Sequence, residues 1–278
     1  MAHLQVLVAA MNQTGDSLPD KMNIQTDAIV GNQCATNSIE EFLYKNHRIK
    51  YLNFSERGVG LNRNNALMRA DGDILIFADE DETFNDGYAD VVEKAYCDIP
   101  DADAIIFNIT TVGATVGRRE IKKVHRIHWW NALNYGAARL TVRNDSVKRE
   151  NIVFHRQFGG GTSYSSGEDT LFITDLIKRG QKVFAYPANI ASVDQTSSTW
   201  FRGYTEKYFY DKGALFAALS KKIGWLLCRL ILYKNKDQFF REGISYRQGK
   251  KLAKAGMHGF RHSISYEQWK KQTPASER

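Results

Sequence analysis

Apolar residues form short runs in the first two thirds of the chain, and stretches with helical spacing separate most of them. The runs predict β-strands, which lie at Leu4–Ala10, Asp27–Gly31, Ile49–Phe54, Ile74–Ala78 and Ala104–Ile109. Apolar positions three and four residues apart predict helices at Ile39–Asn46, Asn62–Ala70, Ala89–Tyr96 and Glu168–Arg179. Gly72 is placed to cap the second of these helices. Apolar strands that alternate with helices indicate an α/β fold, in which helices cover both faces of a mostly parallel sheet.

The remaining pattern divides the chain near residue 201. Residues 111–165 are less regular and contain the pair Trp129 and Trp130 and a strand-like segment at Leu140–Arg143. A short strand at Lys182–Tyr186 is expected to end at Pro187. Beyond residue 202, apolar residues recur at helical spacing, at Leu215, Leu219, Ile223, Leu226, Leu227, Leu230 and Ile231. We therefore predict an α/β domain over residues 1–201 and a basic, helical C-terminal extension over residues 202–278.

Composition limits the class of protein. With 278 residues and 43% hydrophobic content, the chain is long enough to bury a full core. Its three cysteines are far apart and match neither a disulfide framework nor a zinc site, which favours a reducing compartment. The longest apolar stretch, residues 223–233, has about half of the roughly 20 residues that a membrane span needs, and Arg229 interrupts it. The expected location is the cytoplasm, in solution or peripheral on the inner face of the plasma membrane.

The net charge of +7 is concentrated in the C-terminal part of the chain. Residues 202–278 carry 17 Lys and Arg against 6 Asp and Glu, whereas residues 1–201 carry 21 against 25. A basic extension on a mildly acidic body predicts an anionic partner, either lipid head groups or nucleic acid. The apolar stripe of the extension is explained by packing on the body or by contact with a membrane surface. The two explanations are compatible, because one face of a helix can pack on the body while another face contacts lipid.

The segment I-L-I-F-A-D-E-D-E, from Ile74 to Glu82, is a strand that ends in four consecutive acids. Ligands of open α/β sheets bind beyond the carboxyl ends of the strands. Asp79 and Asp81 are one residue apart, so both carboxylates can reach one hard divalent ion that in turn holds a diphosphate. The alternative is a solvated acidic turn, which an isolated D-x-D sequence does not exclude.

Two further segments have residue types suited to phosphate binding and proton transfer. In R-G-V-G-L-N-R-N-N-A-L, Gly58 and Gly60 open a helix whose amino terminus favours a phosphate, and Arg63 is a planar donor for a diphosphate oxygen or a base. In S-S-G-E-D-T-L-F, a carboxylate of Glu168 or Asp169 is placed to accept a proton from a hydroxyl. Each segment also has a structural explanation, a glycine turn in the first case and a helix capping box in the second.

The order and spacing of these segments resemble an inverting glycosyltransferase of family 2, which has the GT-A fold. The resemblance covers about residues 3–200 and rests on G-V-G-L-N-R-N-N-A-L, then A-D-G-D-I-L-I-F-A-D-E-D-E, and finally G-E-D-T-L-F with L-I-K-R-G-Q-K-V-F-A-Y-P. It implies a Rossmann-like sheet flanked by helices and an enzyme that moves one sugar from a nucleotide-sugar to a saccharide or lipid-linked acceptor. Such enzymes build surface polysaccharides, for example capsule or O-antigen.

The resemblance also implies roles for individual residues. Asp81 and Asp79 would hold a Mg²⁺ or Mn²⁺ ion that carries the donor diphosphate, and Asp169, with Glu168 beside it, would be the general base. The residues implied in binding the nucleotide-sugar, with a UDP-sugar favoured, are Asn12, Gly58, Asn32, Arg63 and Asp79. The candidates for contacts with the acceptor, or for a loop that follows the catalytic helix in the family, are Trp129, Trp130, Gln195 and Trp200. Burial in the core is the other explanation for the Trp pair.

Departures from the family pattern leave the nucleotide base open. A-A-M-N stands where the family often has P-x-Y-N, and V-G-N-Q-C, with Asn32 and Gln33, stands where an Asp pair often reads uracil. Two other classes of function also stay open. A sugar-nucleotide nucleotidyltransferase uses a strand-end Asp pair too, although its usual cationic Gly-rich loop is replaced here by M-N-Q-T-G-D. A non-enzymatic protein that binds a membrane or nucleic acid would use the basic extension but gives the paired acids no purpose, and nucleic acid is the less favoured partner.

Overall fold

The computed structural model describes residues 2–113, 120–194, 203–241 and 243–274. The strands are β1 Leu4–Met11, β2 Asp27–Gln33, β3 Ser38–Tyr44, β4 His47–Phe54, β5 Ile74–Asp79, β6 Glu82–Phe84, β7 Ala104–Val112, β8 His125–Arg126, β9 Leu140–Arg143 and β10 Val183–Asp194. The α-helices are α1 Ser17–Lys21, α2 Val59–Arg69, α3 Tyr88–Asp98, α4 Asn144–Arg149, α5 Glu168–Lys178, α6 Glu206–Leu219, α7 Gly224–Lys234, α8 Lys236–Arg241, α9 Tyr246–Arg261 and α10 Tyr266–Gln272.

In the described residues the strands form one sheet with the order β3-β4-β2-β1-β5-β9-β7-β10-β6, and β8 pairs with β10. The central run β4-β2-β1-β5 is parallel, and β7 is parallel to β10. β9 is antiparallel to both β5 and β7, so it joins the two parallel parts. Helices flank this sheet, which confirms the predicted α/β class.

The apolar runs form strands because both faces of the sheet are covered. Val6 and Ile76 belong to one buried cluster, whereas their neighbours Leu7, Leu75 and Phe77 belong to a second. Successive side chains of a strand point to opposite faces, so two apolar layers require a strand that is apolar at every position. This arrangement brings the carboxyl ends of β1, β2 and β5 to one edge of the sheet.

The predicted helix at Ile39–Asn46 is wrong, because this segment is the edge strand β3. It pairs antiparallel with β4 through a two-residue turn in which Lys45 and Asn46 have φ values of 49° and 68°. Two consecutive residues with positive φ form the turn type that matches the twist of a hairpin. The spacing of Ile39 and Leu43 suggested a helix, but 62% and 77% of these residues are exposed.

Two smaller expectations are also wrong. Strand β10 does not end at Pro187 but continues to Asp194, and its pairing with β7 shifts register around that proline, as a residue without an N–H group requires. Gly72 does not cap α2, which ends at Arg69. Instead Gly72 lies against β1, where an added Cβ would come within 2.7 Å of the Cβ of Gln5.

The contacts divide the chain into two compact units. The first contains the described residues of Met1–His155 and Phe172–Ser198, and the second those of Arg156–Leu171 and Thr199–Arg278. The division at residue 201 that composition suggested stays a prediction about domains.

The second unit has its own packed interior. Helix α6 lies so close to α9 that a Cβ added to Gly213 would be 1.9 Å from the carbonyl oxygen of Ala253. The rings of Phe158 and Tyr164 stack on each other at 4.8 Å and lie 5.6 and 5.9 Å from the ring of Phe260. The segment 156–171 therefore packs with the C-terminal helices. Among the described residues, no helix has the length and apolar character needed to cross a membrane.

Candidate functional site

Three carboxylates meet where β5 ends. Asp79 is the last residue of β5, Asp81 lies in the turn that follows, and Glu82 begins β6. One oxygen from each lies within 4.8 Å of the others. Glu82 is only 1% exposed, and its Oε1 accepts a hydrogen bond from the backbone N–H of Asp79 at 3.0 Å. The turn thus directs three acids to the carboxyl edge of the sheet, with Glu82 holding the backbone of Asp79.

This donor set suits a hard divalent cation. Carboxylate oxygens are the ligands that Mg²⁺, Mn²⁺ and Ca²⁺ prefer in proteins. Asp81 is exposed and Asp79 partly so, which leaves room for water or a ligand oxygen to complete the coordination. The residues present therefore fit a metal. Glu82 was not among the predicted ligands, although the run D-E-D-E contains it.

The fourth acid, Glu80, belongs to a different contact. Its Oε2 accepts hydrogen bonds from the backbone N–H of Met11 at 3.1 Å and from Nε2 of Gln13 at 2.7 Å. Its backbone N–H donates to the carbonyl of Ala9 at 3.2 Å. Glu80 thus ties the turn to the loop that follows β1, and the four consecutive acids divide into a three-carboxylate cluster and a structural acid.

Arg63, predicted as a donor for a diphosphate oxygen or a base, lies beside the cluster and contacts Asp79. Its Nη2 donates to Oδ1 of Asp79 at 2.7 Å, and only 4% of the side chain is exposed. The guanidinium also lies over the ring of Phe154, 5.3 Å from its centroid. A buried guanidinium keeps its charge, so Arg63 adds a fixed positive charge to a site with three acids.

Gly58 precedes the first residue of α2 and has a φ of 123°, a backbone conformation that residues other than glycine rarely adopt. Its N–H donates to Oε1 of Gln33 at 2.8 Å, so the end of β2 holds the start of α2. The amino terminus of α2 therefore begins beside the carboxyl end of β2. Helix amino termini favour anions, which is why Gly58 stays a candidate for phosphate binding.

Asn12 and Asn32 shape the loop after β1. Asn12 has a φ of 52°, and its N–H donates to the carbonyl of Gln33 at 3.1 Å. Asn32 is buried, and its carboxamide bonds both the N–H and the carbonyl of Gln13, at 3.0 and 2.8 Å, and Oδ1 of Asn53 at 2.7 Å. The amide of Asn32 is thus engaged within the protein and positions the loop.

Glu168 and Asp169 lie in the first turn of α5, in the second unit, and both are half-buried. The segment before them is held by Asp211 of α6, whose Oδ2 accepts from the backbone N–H of Ser165 at 2.9 Å and from its Oγ at 2.7 Å. Nζ of Lys207 lies 3.0 Å from the same oxygen and donates to the carbonyl of Ser163 at 3.2 Å. This network fixes the backbone three residues before Glu168.

Sequence reasoning missed Asp211. Burial raises the pKa of its carboxyl, and the hydrogen bonds from Ser165 and the charge of Lys207 oppose that rise. The signal was a single acid at a buried position of a helix, within Y-F-Y-D-K-G-A-L-F. Buried acids are rare unless they are paired, so this position pointed to a polar partner, but nothing in the sequence named Ser165.

The pair Trp129 and Trp130 follows β8 and is not in the core. The exposed fractions are 44% and 62%, so the alternative of core packing is wrong. The rings of His128 and Trp130 are stacked, 4.4 Å apart and nearly parallel, and Trp129 meets Trp130 edge-on at 5.8 Å. The remaining two candidates, Gln195 and Trp200, lie outside the described residues.

Comparison with known proteins agrees with this geometry. The family model described as glycosyl transferase family 2 matches residues 26–155, which include β5, α2 and the acid cluster. No curated protein matches the sequence at a significant level.

Solved structures with a similar fold include TarS of S. aureus. The 1-349 form in complex with UDP-GlcNAc is 12% identical, with a TM-score of 0.61 over 95% of this chain and 93% of that one. The 1-349 form in complex with UDP is 14% identical, with a TM-score of 0.57 over 97% and 77%. The match to the glycosyl transferase family 2 model over residues 26–155, together with a sheet that has acids at its strand end, indicates a glycosyltransferase with the GT-A fold rather than the other classes of function left open by the sequence.

Proposed function

We propose that the chain is a metal-dependent, inverting glycosyltransferase that moves one sugar from a UDP-sugar to a saccharide or lipid-linked acceptor in surface polysaccharide synthesis. The observation that carries the proposal is the cluster of Asp79, Asp81 and Glu82 with the guanidinium of Arg63 on Asp79. Three acids and one buried cation at a strand end suit a metal-bound diphosphate better than a solvated turn, which needs neither a buried Glu82 nor a buried Arg63.

The proposed donor is a UDP-sugar. Support comes from the similar fold of TarS, whose solved complexes contain UDP-GlcNAc and UDP. In this chain the loop after β1, held by Asn32 and Glu80, and the amino terminus of α2 at Gly58 lie along the same edge as the acids. We assign the nucleoside to the loop at Asn12 and the diphosphate to the edge between Gly58 and Asp81.

Asp81 and Asp79, with Glu82 behind them, are the residues that would hold Mg²⁺ or Mn²⁺. When bound, such an ion would supply positive charge that offsets the charge of the leaving diphosphate. Arg63 supplies a second, permanent positive charge at Asp79 and orients that carboxylate. Because Glu82 fixes the backbone of Asp79, the ligands are organised before the donor binds.

In the proposed reaction the carboxylate of Asp169 accepts the proton of the acceptor hydroxyl while the oxygen of that hydroxyl attacks the anomeric carbon of the donor sugar. The C–O bond to the diphosphate breaks as the new glycosidic bond forms, and attack from the opposite face inverts the anomeric configuration. The hydrogen bonds from Ser165 to Asp211 hold the backbone that leads to Asp169. We assign the acceptor sugar to the exposed rings of Trp129 and Trp130, which offer an apolar face at the surface.

The test is release of UDP from a panel of UDP-sugars with saccharide acceptors, measured for the wild type and three variants. We expect Asp169→Asn to lower kcat by about 100-fold or more, because an amide cannot accept the proton. Asp81→Asn should lower the rate of UDP release by a factor that depends on the metal ion present. The control Asp90→Asn removes one exposed acid on α3 and should leave the rate unchanged. Full activity of Asp169→Asn would refute the assigned base, and retention of the donor's anomeric configuration, measured by NMR, would refute inversion.

A further inference from the structure

An exposed apolar stripe runs along α7 in the second unit. Leu226, Leu230 and Tyr233 are four and three residues apart, so they lie on one face of the helix. Their exposed fractions are 56%, 57% and 58%. The opposite face is buried through Cys228 and Leu232. One side of α7 therefore packs into the protein, while the other presents three large apolar side chains to the surroundings.

A basic face lies on the neighbouring helix α9. Arg247, Lys251, Lys254 and Arg261 are exposed and recur at helical spacing on one side of it. Neither α7 nor α9 contains an acidic residue. The other side of α9 is fixed against α6, since a Cβ added to Gly256 would be 1.8 Å from a backbone oxygen of α6. The cations thus lie on the side of α9 that faces away from its close contact with α6.

The two helices share a surface cavity of about 820 Å³. Its lining includes Trp225 and five cations, namely Arg229, Arg247, Lys250, Lys251 and Lys254. The rings of Tyr233 and Tyr246 meet at 5.9 Å, which connects the apolar stripe of α7 to the start of α9. We call the surface formed by Leu226, Leu230, Tyr233, Arg247, Lys251 and Lys254 the α7–α9 surface.

The chemistry of the α7–α9 surface restricts its partner. A nucleic acid would neutralise the cations but would leave the leucines of α7 in water. A second copy of the chain, docked through the same surface, would bring two sets of like charges together. A membrane with anionic lipids satisfies both halves, because its phosphates attract Lys and Arg and its acyl boundary accepts apolar side chains.

We propose that the α7–α9 surface docks the enzyme on an anionic lipid bilayer, with Leu226, Leu230 and Tyr233 entering the interface and the cations of α9 contacting lipid phosphates. This inference goes beyond the proposed sugar transfer and does not depend on it. Each basic residue close to an anionic bilayer raises partitioning by about fivefold, so three of them contribute roughly 100-fold. Binding should also weaken as salt is added, because the charges are exposed.

The experiment is co-sedimentation of the full chain with vesicles of phosphatidylcholine alone or with about one quarter phosphatidylglycerol. The charge variant is Arg247→Gln with Lys251→Gln and Lys254→Gln. The matched control changes three exposed lysines of the first unit, Lys122→Gln, Lys123→Gln and Lys178→Gln. The apolar variant is Leu226→Ser with Leu230→Ser. All altered side chains are exposed, so circular dichroism and the melting temperature should remain those of the wild type.

We expect the wild type to bind only the anionic vesicles, the charge variant to lose roughly 100-fold in partitioning, and the control to stay within about twofold. The apolar variant should bind the anionic vesicles more weakly than the wild type at each salt concentration. Equal binding to neutral vesicles, or an equal loss in the control, would overturn the proposal. A stable dimer that Leu226→Ser with Leu230→Ser dissociates would also overturn it. So would a protein that binds duplex DNA while the charge variant and the apolar variant sediment with vesicles as the wild type does.

Discussion

Arg63 carries a permanent positive charge in a nearly buried position beside Asp79. Its planar guanidinium fits between the carboxylate and the ring of Phe154, which a lysine ammonium cannot do in the same way. We expect Arg63→Lys to lower kcat/KM for the UDP-sugar by roughly 10- to 100-fold while the charge is kept. The control is Arg69→Lys, at an exposed position of the same helix. Initial rates of UDP release give the comparison, and equal rates for the wild type and Arg63→Lys would refute the role of the guanidinium.

Asp211 provides a prediction about pH, since burial raises the pKa of its carboxyl above the ordinary value of 3.8. The native state then binds more protons than the unfolded state, so this group stabilises the fold below pH 3.8 and loses that contribution as the pH rises through its folded pKa. Asn at this position does not titrate. The free energy of unfolding of the wild type should therefore rise relative to that of Asp211→Asn as the medium becomes more acidic. Urea unfolding of both proteins over a pH series measures the difference, and a difference independent of pH would contradict the raised pKa.

Single residues also mark the limit of what the sequence predicts at the site. The closeness of Asp79 and Asp81 follows from their position after an apolar strand, because chain connectivity alone places them together. The contact of Arg63 with Asp79 depends on how α2 packs against β5, and the spacing of apolar residues does not predict that packing. Asp211 was missed because its partner Ser165 is 46 residues away.

At the scale of elements, replacing a glycine by alanine where α6 contacts α9 has two opposing effects on the free energy of unfolding. Gly→Ala in a helix is favourable by about 1 kcal/mol through intrinsic propensity. A Cβ at Gly213 or Gly256, however, would lie 1.9 or 1.8 Å from a backbone oxygen of the facing helix. We expect the clash to dominate, so that Gly213→Ala and Gly256→Ala each lower the free energy of unfolding by about 2–4 kcal/mol.

Gly160→Ala is the matched control for this prediction, because nothing lies within 4 Å of its added Cβ and its φ is not positive. Thermal and urea unfolding of the three variants would give the comparison. A variant at position 213 or 256 as stable as the wild type would mean that the helices can separate at no cost.

Strands buried on both faces were predictable and the edge of the sheet was not. β1, β5 and the first four residues of β7 are apolar at nearly every position, because each of these stretches is covered on two sides. β3 lies at the edge of the sheet, and most of its side chains are exposed. Its apolar residues therefore need not alternate with polar ones, and the spacing of Ile39 and Leu43 fitted a helix equally well. β10 passes a proline because the shift in register beside β7 removes the need for a donor there.

At the scale of the whole molecule, residues 156–171 belong with the C-terminal helices. Tyr164 stacks on Phe158, lies beside Phe260, and donates from its hydroxyl to the carbonyl of Ile264 at 3.4 Å. No local pattern predicts this, because the partners are about 100 residues apart. A chain that ends at residue 201 would expose Phe158 and Tyr164, which are otherwise buried.

We therefore expect the chain truncated after residue 201 to aggregate, and to bind a hydrophobic dye, at temperatures where the full chain is stable. Size-exclusion chromatography and dye fluorescence measure both effects. A monomeric truncated chain that binds no dye and releases UDP at the full rate would contradict the packing of residues 156–171 with α6 and α9.

The assignment of the acid cluster is tested by calorimetric titration of UDP into the wild type and Asp81→Asn, each with and without Mn²⁺. We expect Mn²⁺ to tighten UDP binding to the wild type by at least about tenfold and to have no such effect on Asp81→Asn, since Asp81 is one of the residues that would hold the ion and the ion would offset the charge of the diphosphate. The exposed substitution Asp90→Asn should behave as the wild type does. If Mn²⁺ tightens UDP binding equally in the wild type and in Asp81→Asn, the carboxylates at the end of β5 do not hold the metal and the proposed site is wrong.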